Sequence, residues 1–247
     1  MTRTIVTLAA ALAVLTIATT AHADFAVIPA TFTNTEGSEG TVTITNSQAR
    51  TYQYLIEHSL LAAVPDNSLI SGISFRLNGV ETGESKTFAD YEIYFGVAAT
   101  TDFTISSTFA NNIVGGNAGR TLVRDGGLSF DSTYFPSGNT PNAFATPFAF
   151  NTSPYLYDKN AGNGLIIEIR HTGGGGVNQS LDSEPAGNIA GASNIIATSF
   201  DATEVNTTGS FIIPQLQFTV VPEANTGLLA TLILPAVGFL VARRRKG

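Results

Sequence analysis

The stretch DYEIYFGV, residues 90–97, decides the fold class: Tyr91, Ile93, Phe95 and Val97 fall on one side, Asp90, Glu92 and Tyr94 on the other. An apolar–polar period of two is the mark of a strand with one buried face. The period recurs outward in both directions. In LIIEIR, residues 165–170, Leu165, Ile167 and Ile169 alternate with Ile166, Glu168 and Arg170. In SGISFRL, residues 71–77, Ile73, Phe75 and Leu77 oppose Ser74 and Arg76, and the Asn78-Gly79 that follows is a strong turn signal. QLQFTV, residues 215–220, turns Leu216, Phe218 and Val220 inward. TVTIT, residues 41–45, buries Val42 and Ile44 and shows Thr41, Thr43 and Thr45 to solvent.

Further strands are expected at 25–32, 52–57, 121–124, 146–150 and 194–200. YQYLIEHSLLAAV, residues 52–64, reads equally as a helix or as a strand running into a loop. Long loops are expected at 110–119, 131–145 and 173–192. The four glycines at 173–176 read as a flexible connection and lack the Lys-Ser/Thr of a phosphate-binding loop. Short half-buried strands between Gly/Asn/Pro turns predict one all-β domain, an antiparallel β-sandwich or jelly roll, over residues 24–220. Its core should hold Phe75, Leu77, Ile93, Phe95, Ile167, Ile169, Leu216 and Phe218.

The two ends of the chain read differently. Arg3, the apolar run 5–19 and the small residues Ala21 and Ala23 form a signal-peptide pattern over residues 1–23, with cleavage expected before Asp24. Residues 24–221 carry seven Lys and Arg against eighteen Asp and Glu, a net of −11. That balance disfavours nucleic acid or an anionic membrane surface as a partner, since both need basic patches. The chain has no cysteine, which excludes disulfides, thiol catalysis, zinc–thiolate sites and iron–sulfur clusters.

Candidate chemistry within the domain is sparse. His58 and His171 are its only histidines and no G-x-S-x-G is present, so a Ser–His–Asp triad has little to build on. His171 is expected to be a partly exposed structural residue at a strand end. Asp90 and Glu92 share a strand face at about 6–7 Å, a spacing that overlaps glycosidase acid pairs. The alternative, an ordinary solvated sheet face, is favoured because there is no tryptophan to stack on a sugar. Asp158, Asn160 and Asn163 in DKNAGNG form the calcium candidate, although the same residues suit a hairpin turn. The threonine row Thr41, Thr43 and Thr45 is too short for an ice-binding surface.

At the C-terminal side, residues 226–242 form an apolar stretch without a charge, followed by Arg243, Arg244, Arg245 and Lys246. As a helix, seventeen residues span about 26 Å, just short of a hydrocarbon core, and Pro235 interrupts them. The basic cluster would act as a stop-transfer signal held in the cytoplasm. Preceded by Pro222, Glu223 and Ala224, this arrangement resembles the PEP-CTERM sorting domain of Gram-negative and related bacteria, with Ala224 in place of the family's second proline. The resemblance covers residues 221–247 and implies recognition by an exosortase, a membrane-embedded transpeptidase-like protease. The stretches ISGISFRLNG, DYEIYFGVA and YLYDKNAGNGLIIEIRHTG also look like bodies carried on such tails, for which no activity is implied.

The expectation is therefore an exported, non-catalytic surface or extracellular-matrix β-sandwich protein. Its precursor would sit in the inner membrane facing the periplasm before sorting to the cell surface or matrix. The alternative is an exopolysaccharide-binding module, for which Tyr134, Phe135, Tyr155 and Tyr157 are the aromatics to inspect. A hydrolase or an ice-binding protein ranks below both, and calcium is the one cofactor candidate.

Overall fold

The computed structural model describes residues 22–100, 104–158, 162–185, 187–207 and 209–221. The strands, in chain order, begin with β1 (Asp24–Val27), β2 (Glu39–Thr41), β3 (Arg50–Ile56), β4 (Ser68–Ser74) and β5 (Lys86–Phe88). They continue with β6 (Tyr91–Val97), β7 (Arg120–Arg124), β8 (Leu128–Phe130), β9 (Phe148–Ala149), β10 (Tyr155–Tyr157) and β11 (Leu165–His171). The last are β12 (Gly174–Gly176), β13 (Leu181–Glu184), β14 (Ala192–Ala197), β15 (Phe211–Ile212) and β16 (Gln215–Val220). All their pairings are antiparallel. The helical segments among the described residues are single 3₁₀ turns.

Two five-stranded sheets make the body. One runs β1-β16-β4-β10 with β9 also on β4; the other runs β14-β3-β11-β6-β7. Ala26, Ile70, Ile73, Leu216 and Phe218 of the first sheet join Tyr52, Tyr54, Ile93, Phe95, Ile167 and Ile169 of the second in one apolar cluster. This is a sandwich-like all-β arrangement, and all eight residues expected in the core lie in that cluster. Two three-stranded sheets, β12-β5-β8 and β15-β13-β2, flank the body.

Several local expectations are corrected. TVTIT is not a strand beyond Thr41, the last residue of β2: residues 43–45 form a 3₁₀ turn that buries Thr43 and Thr45 along with Ile44. The Thr45 hydroxyl donates to the Gln179 carbonyl at 2.5 Å, a tertiary bond that outweighs the alternating pattern. The 173–192 segment holds two strands rather than one long loop. Its glycines fit against β5, where a Cβ on Gly174 would lie 2.7 Å from Lys86 Cε and 2.8 Å from Phe88 Cε1. Close approach, not flexibility, explains that run. Strand β4 stops at Ser74, Val220 is 39% exposed where β16 runs out, and Ser74, Arg76 and His171 are buried.

Register defines two ends. Leu165 pairs with both Ile56 and Val97, and Ala192 pairs with Ile56, so these residues mark one end of the second sheet. In the first sheet Tyr157 and Val220 both pair with Ser68. A small pocket lined by Tyr157, Asp158, Val97 and Leu165 ties the two together, so this is one end of the sandwich. Asp24 starts there too, beside Phe218, and Val221 N–H donates to the Asn67 carbonyl at 3.2 Å. His171, Arg50 and Tyr91 mark the opposite end.

Candidate functional site

The outward face of the second sheet was expected in solvent and is instead a buried charge layer. Glu168 pairs with Gln53 of β3 on one side and Tyr94 of β6 on the other, and pleat alternation points all three the same way. The 3₁₀ turn Phe109–Asn112 contributes the cover, with Phe109 and Asn112 themselves buried. One Glu168 oxygen accepts from Arg170 Nε at 2.6 Å and from Arg120 Nη1; the other accepts from Gln53 Nε2 at 2.8 Å. Asn112 Nδ2 donates to Gln53 Oε1 at 2.8 Å, and Asn112 Oδ1 accepts from Ser106 N–H at 2.6 Å. Arg120 lies over the Tyr94 ring at 4.0 Å. Every carboxylate oxygen here is engaged, which stabilises the layer without leaving a group poised for proton transfer.

Two further polar residues sit inside. Asp182 Oδ2 accepts from Arg76 Nε at 2.6 Å and its Oδ1 from Gly37 N–H at 2.8 Å, fastening the segment before β2. Burial pushes the Asp182 carboxyl up, against the opposing pull of Arg76 and Gly37 N–H. His171 is fully buried, parallel to Tyr91 and edge-on to Phe88. Its Nδ1 accepts from Gly173 N–H at 3.1 Å, so Nε2 carries the proton and donates to the Thr43 carbonyl at 3.1 Å. Burial first, then Arg50 and Lys86 nearby, lowers its pKa to about 4, so the ring is neutral. Both nitrogens serve the fold.

At the opposite end from His171, pockets open between the loops. One, about 490 Å³, is lined by Glu57, Ser59, Ile189, Gly191, Ala192 and Ser193. Beside it, His58 and Gly164 help line a second of about 170 Å³ that shares Glu57 and Ser59. Ser59 Oγ donates to Glu57 Oε2 at 2.7 Å, and Tyr157 lies 3.4 Å from His58 Nδ1. Burial, with Asp66, Tyr155 and Asp158 adding to it, pushes the Tyr157 phenol up to about 12, so the hydroxyl beside His58 stays protonated. Loops from both sheets meet here, and the surface they make is concave, with Glu57, Ser59 and Ser193 set in a mainly apolar lining.

The residues singled out from sequence separate on this frame. Asp158 and Asn163 both line the small pocket of about 120 Å³ at this end, while Asn160 lies outside the described residues. Asp90 and Glu92 do converge: with Asp125 their carboxylate oxygens lie within 4.8 Å of one another. Tyr94 Oη donates to Glu92 at 2.8 Å, and Gly126 N–H to Asp125 at 2.8 Å. The four aromatics do not form an exposed row. Phe135 and Tyr157 are buried, and Tyr134 and Tyr155 pack against the core. Ala23 and Asp24 lie at the start of β1, whereas Ala21, Pro222, Glu223, Ala224, the apolar stretch and Arg243, Arg244, Arg245 and Lys246 lie outside the described residues.

Glu57, Ser59 and Gly191 carried no motif and were not singled out from sequence. Only the pairing of β14 with β3 brings Gly191 against Glu57, where Glu57 N–H donates to the Gly191 carbonyl at 2.7 Å. Compared with known proteins, the chain matches no family model, no curated protein and no solved structure. Among the described residues, no helix is long and apolar enough to cross a membrane.

Proposed function

We propose that the protein is an exported, non-catalytic β-sandwich of the cell surface or extracellular matrix. It is held first by an apolar tail in the inner membrane and then released by an exosortase-like protease. The observation that carries the non-catalytic part is how the interior polar groups are spent. Glu168 is committed to Arg120, Arg170 and Gln53, Asp182 to Arg76 and Gly37, and His171 to Thr43 and Gly173. The targeting part rests on the signal pattern at residues 1–23 and the motif, apolar stretch and basic cluster at 222–246.

A second reading, binding of exopolysaccharide, is favoured by the pocket of about 490 Å³. With the loop aromatics turned inward, such a ligand would be held by polar groups such as Glu57, Ser59 and Ser193 rather than by ring stacking. A C-terminal epitope tag tests the leading reading. In cells that contain an exosortase the tag should be lost from the mature protein; a tag retained there reduces the tail to a simple anchor.

A further inference from the structure

The position of the chain ends dictates which end of the sandwich meets the membrane. β1 and β16 are adjacent antiparallel strands, so Asp24 and Val221 leave the fold at the same end, where residues 57–67, Asp158, 162–164 and 187–191 also gather. Only residues 222–225 separate Val221 from the apolar stretch 226–242, and only residues 20–23 separate the apolar run 5–19 from Asp24. Five steps of chain reach at most about 17 Å on either side. The polar headgroup region is itself some 5–7 Å deep on each face of the bilayer, so little room remains. The opposite end, at His171, is about 20 Å further away along the seven residues of β11.

We propose that the pocketed end is the membrane-facing surface of this protein for as long as either apolar segment is attached, its occupant being the lipid headgroup layer. The proposal rests on reading residues 226–246 as a membrane anchor. Because both segments leave the same end, one orientation serves the precursor whichever is removed first. The contact is a tether and not an adhesive one: Glu57, Asp66 and Asp158 put negative charge at this end, which anionic headgroups repel. A large ligand therefore reaches the Glu57–Ser59–Ser193 pocket only after the tail is cut. Release from the membrane and exposure of the pocket become a single event.

The absence of cysteine makes the test direct. Ser59→Cys labels the pocketed end and Ser129→Cys, exposed on β8, labels the other; each is introduced singly and coupled to a small fluorophore. The chain with its tail is reconstituted into phosphatidylcholine–phosphatidylglycerol vesicles containing a lipid with a nitroxide-labelled headgroup, a short-range quencher. The label at Ser59→Cys should be quenched several-fold more than that at Ser129→Cys. A chain of residues 24–221, without either apolar segment, should show no quenching at either site and should not float with the vesicles. Equal quenching at the two sites, or more at Ser129→Cys, overturns the orientation while leaving the anchor intact. Failure of the tailed chain to float removes the anchor reading, and the orientation falls with it.

Discussion

Arg170 donates from Nε to Glu168 at 2.6 Å, two residues back on the same face of β11, with the glutamate wholly closed to water. A strand face that reads as solvated is in fact a second, polar interior.

Glu168→Gln keeps the shape of that interior but removes the charge that Arg120 and Arg170 share. Arg120 then loses its carboxylate partner and Arg170 keeps only the exposed Asp201 at 3.3 Å, so the expected loss is about 3–5 kcal/mol in urea unfolding. Replacing Glu168, Arg120 and Arg170 together by Leu, Met and Met should cost much less than the single change, since no buried charge is left unpaired and Asp201, which loses Arg170, is exposed. A triple variant weaker than Glu168→Gln would contradict this account.

His171 sets a pH dependence whose sign follows from its environment. Its folded pKa of about 4 lies below the ordinary 6.5, so the unfolded chain takes up a proton more readily. Stability from this group is therefore complete above about pH 6.5 and declines as the pH falls towards about 4, by about 3 kcal/mol in all. His171→Gln should flatten the midpoint of unfolding across that window. An unchanged slope would mean that other groups supply it.

The glycine run distinguishes a packed strand from a linker. Gly173 has φ +92° and a Cβ there would meet the Ser47 carbonyl oxygen at 2.4 Å, so Gly173→Ala should cost about 2–4 kcal/mol. At Gly175 nothing lies within 4 Å, and Gly175→Ala should stay within about 0.5 kcal/mol of the parent. Equal tolerance at both positions, measured by thermal unfolding, would return the segment to a linker.

Ile93 is completely buried between the two large sheets. Ile93→Asp puts an unpaired carboxylate there at a cost of several kcal/mol, comparable with the roughly 5–15 kcal/mol that holds a domain together. Loss of the β-sheet circular dichroism signal is expected. Glu92→Gln, whose side chain is half-buried and accepts from Tyr94, should leave that signal intact.

The inner face of the sandwich was legible because it depends on local alternation. Phe75, Leu77, Ile93, Phe95, Ile167, Ile169, Leu216 and Phe218 all went where the pattern sent them. The outer face was not legible. A Glu and an Arg two residues apart look the same in sequence whether they meet water or are covered, and here Asn112 and Phe109 cover them from more than fifty residues away. Thr43 and Thr45 misled for a related reason, since the partner that captures Thr45 is Gln179.

By itself, then, the sequence determined an all-β domain, its inward-facing residues, its acidic balance and the apolar character of the segments at either side. These follow from periodicity and composition, which each segment carries alone. Only the tertiary structure decided which polar residues are buried, which loops enclose a pocket, and that Asp24 and Val221 leave by one end. Those depend on strand register between distant segments, and pairing energies of that kind exist only once the chain has closed on itself.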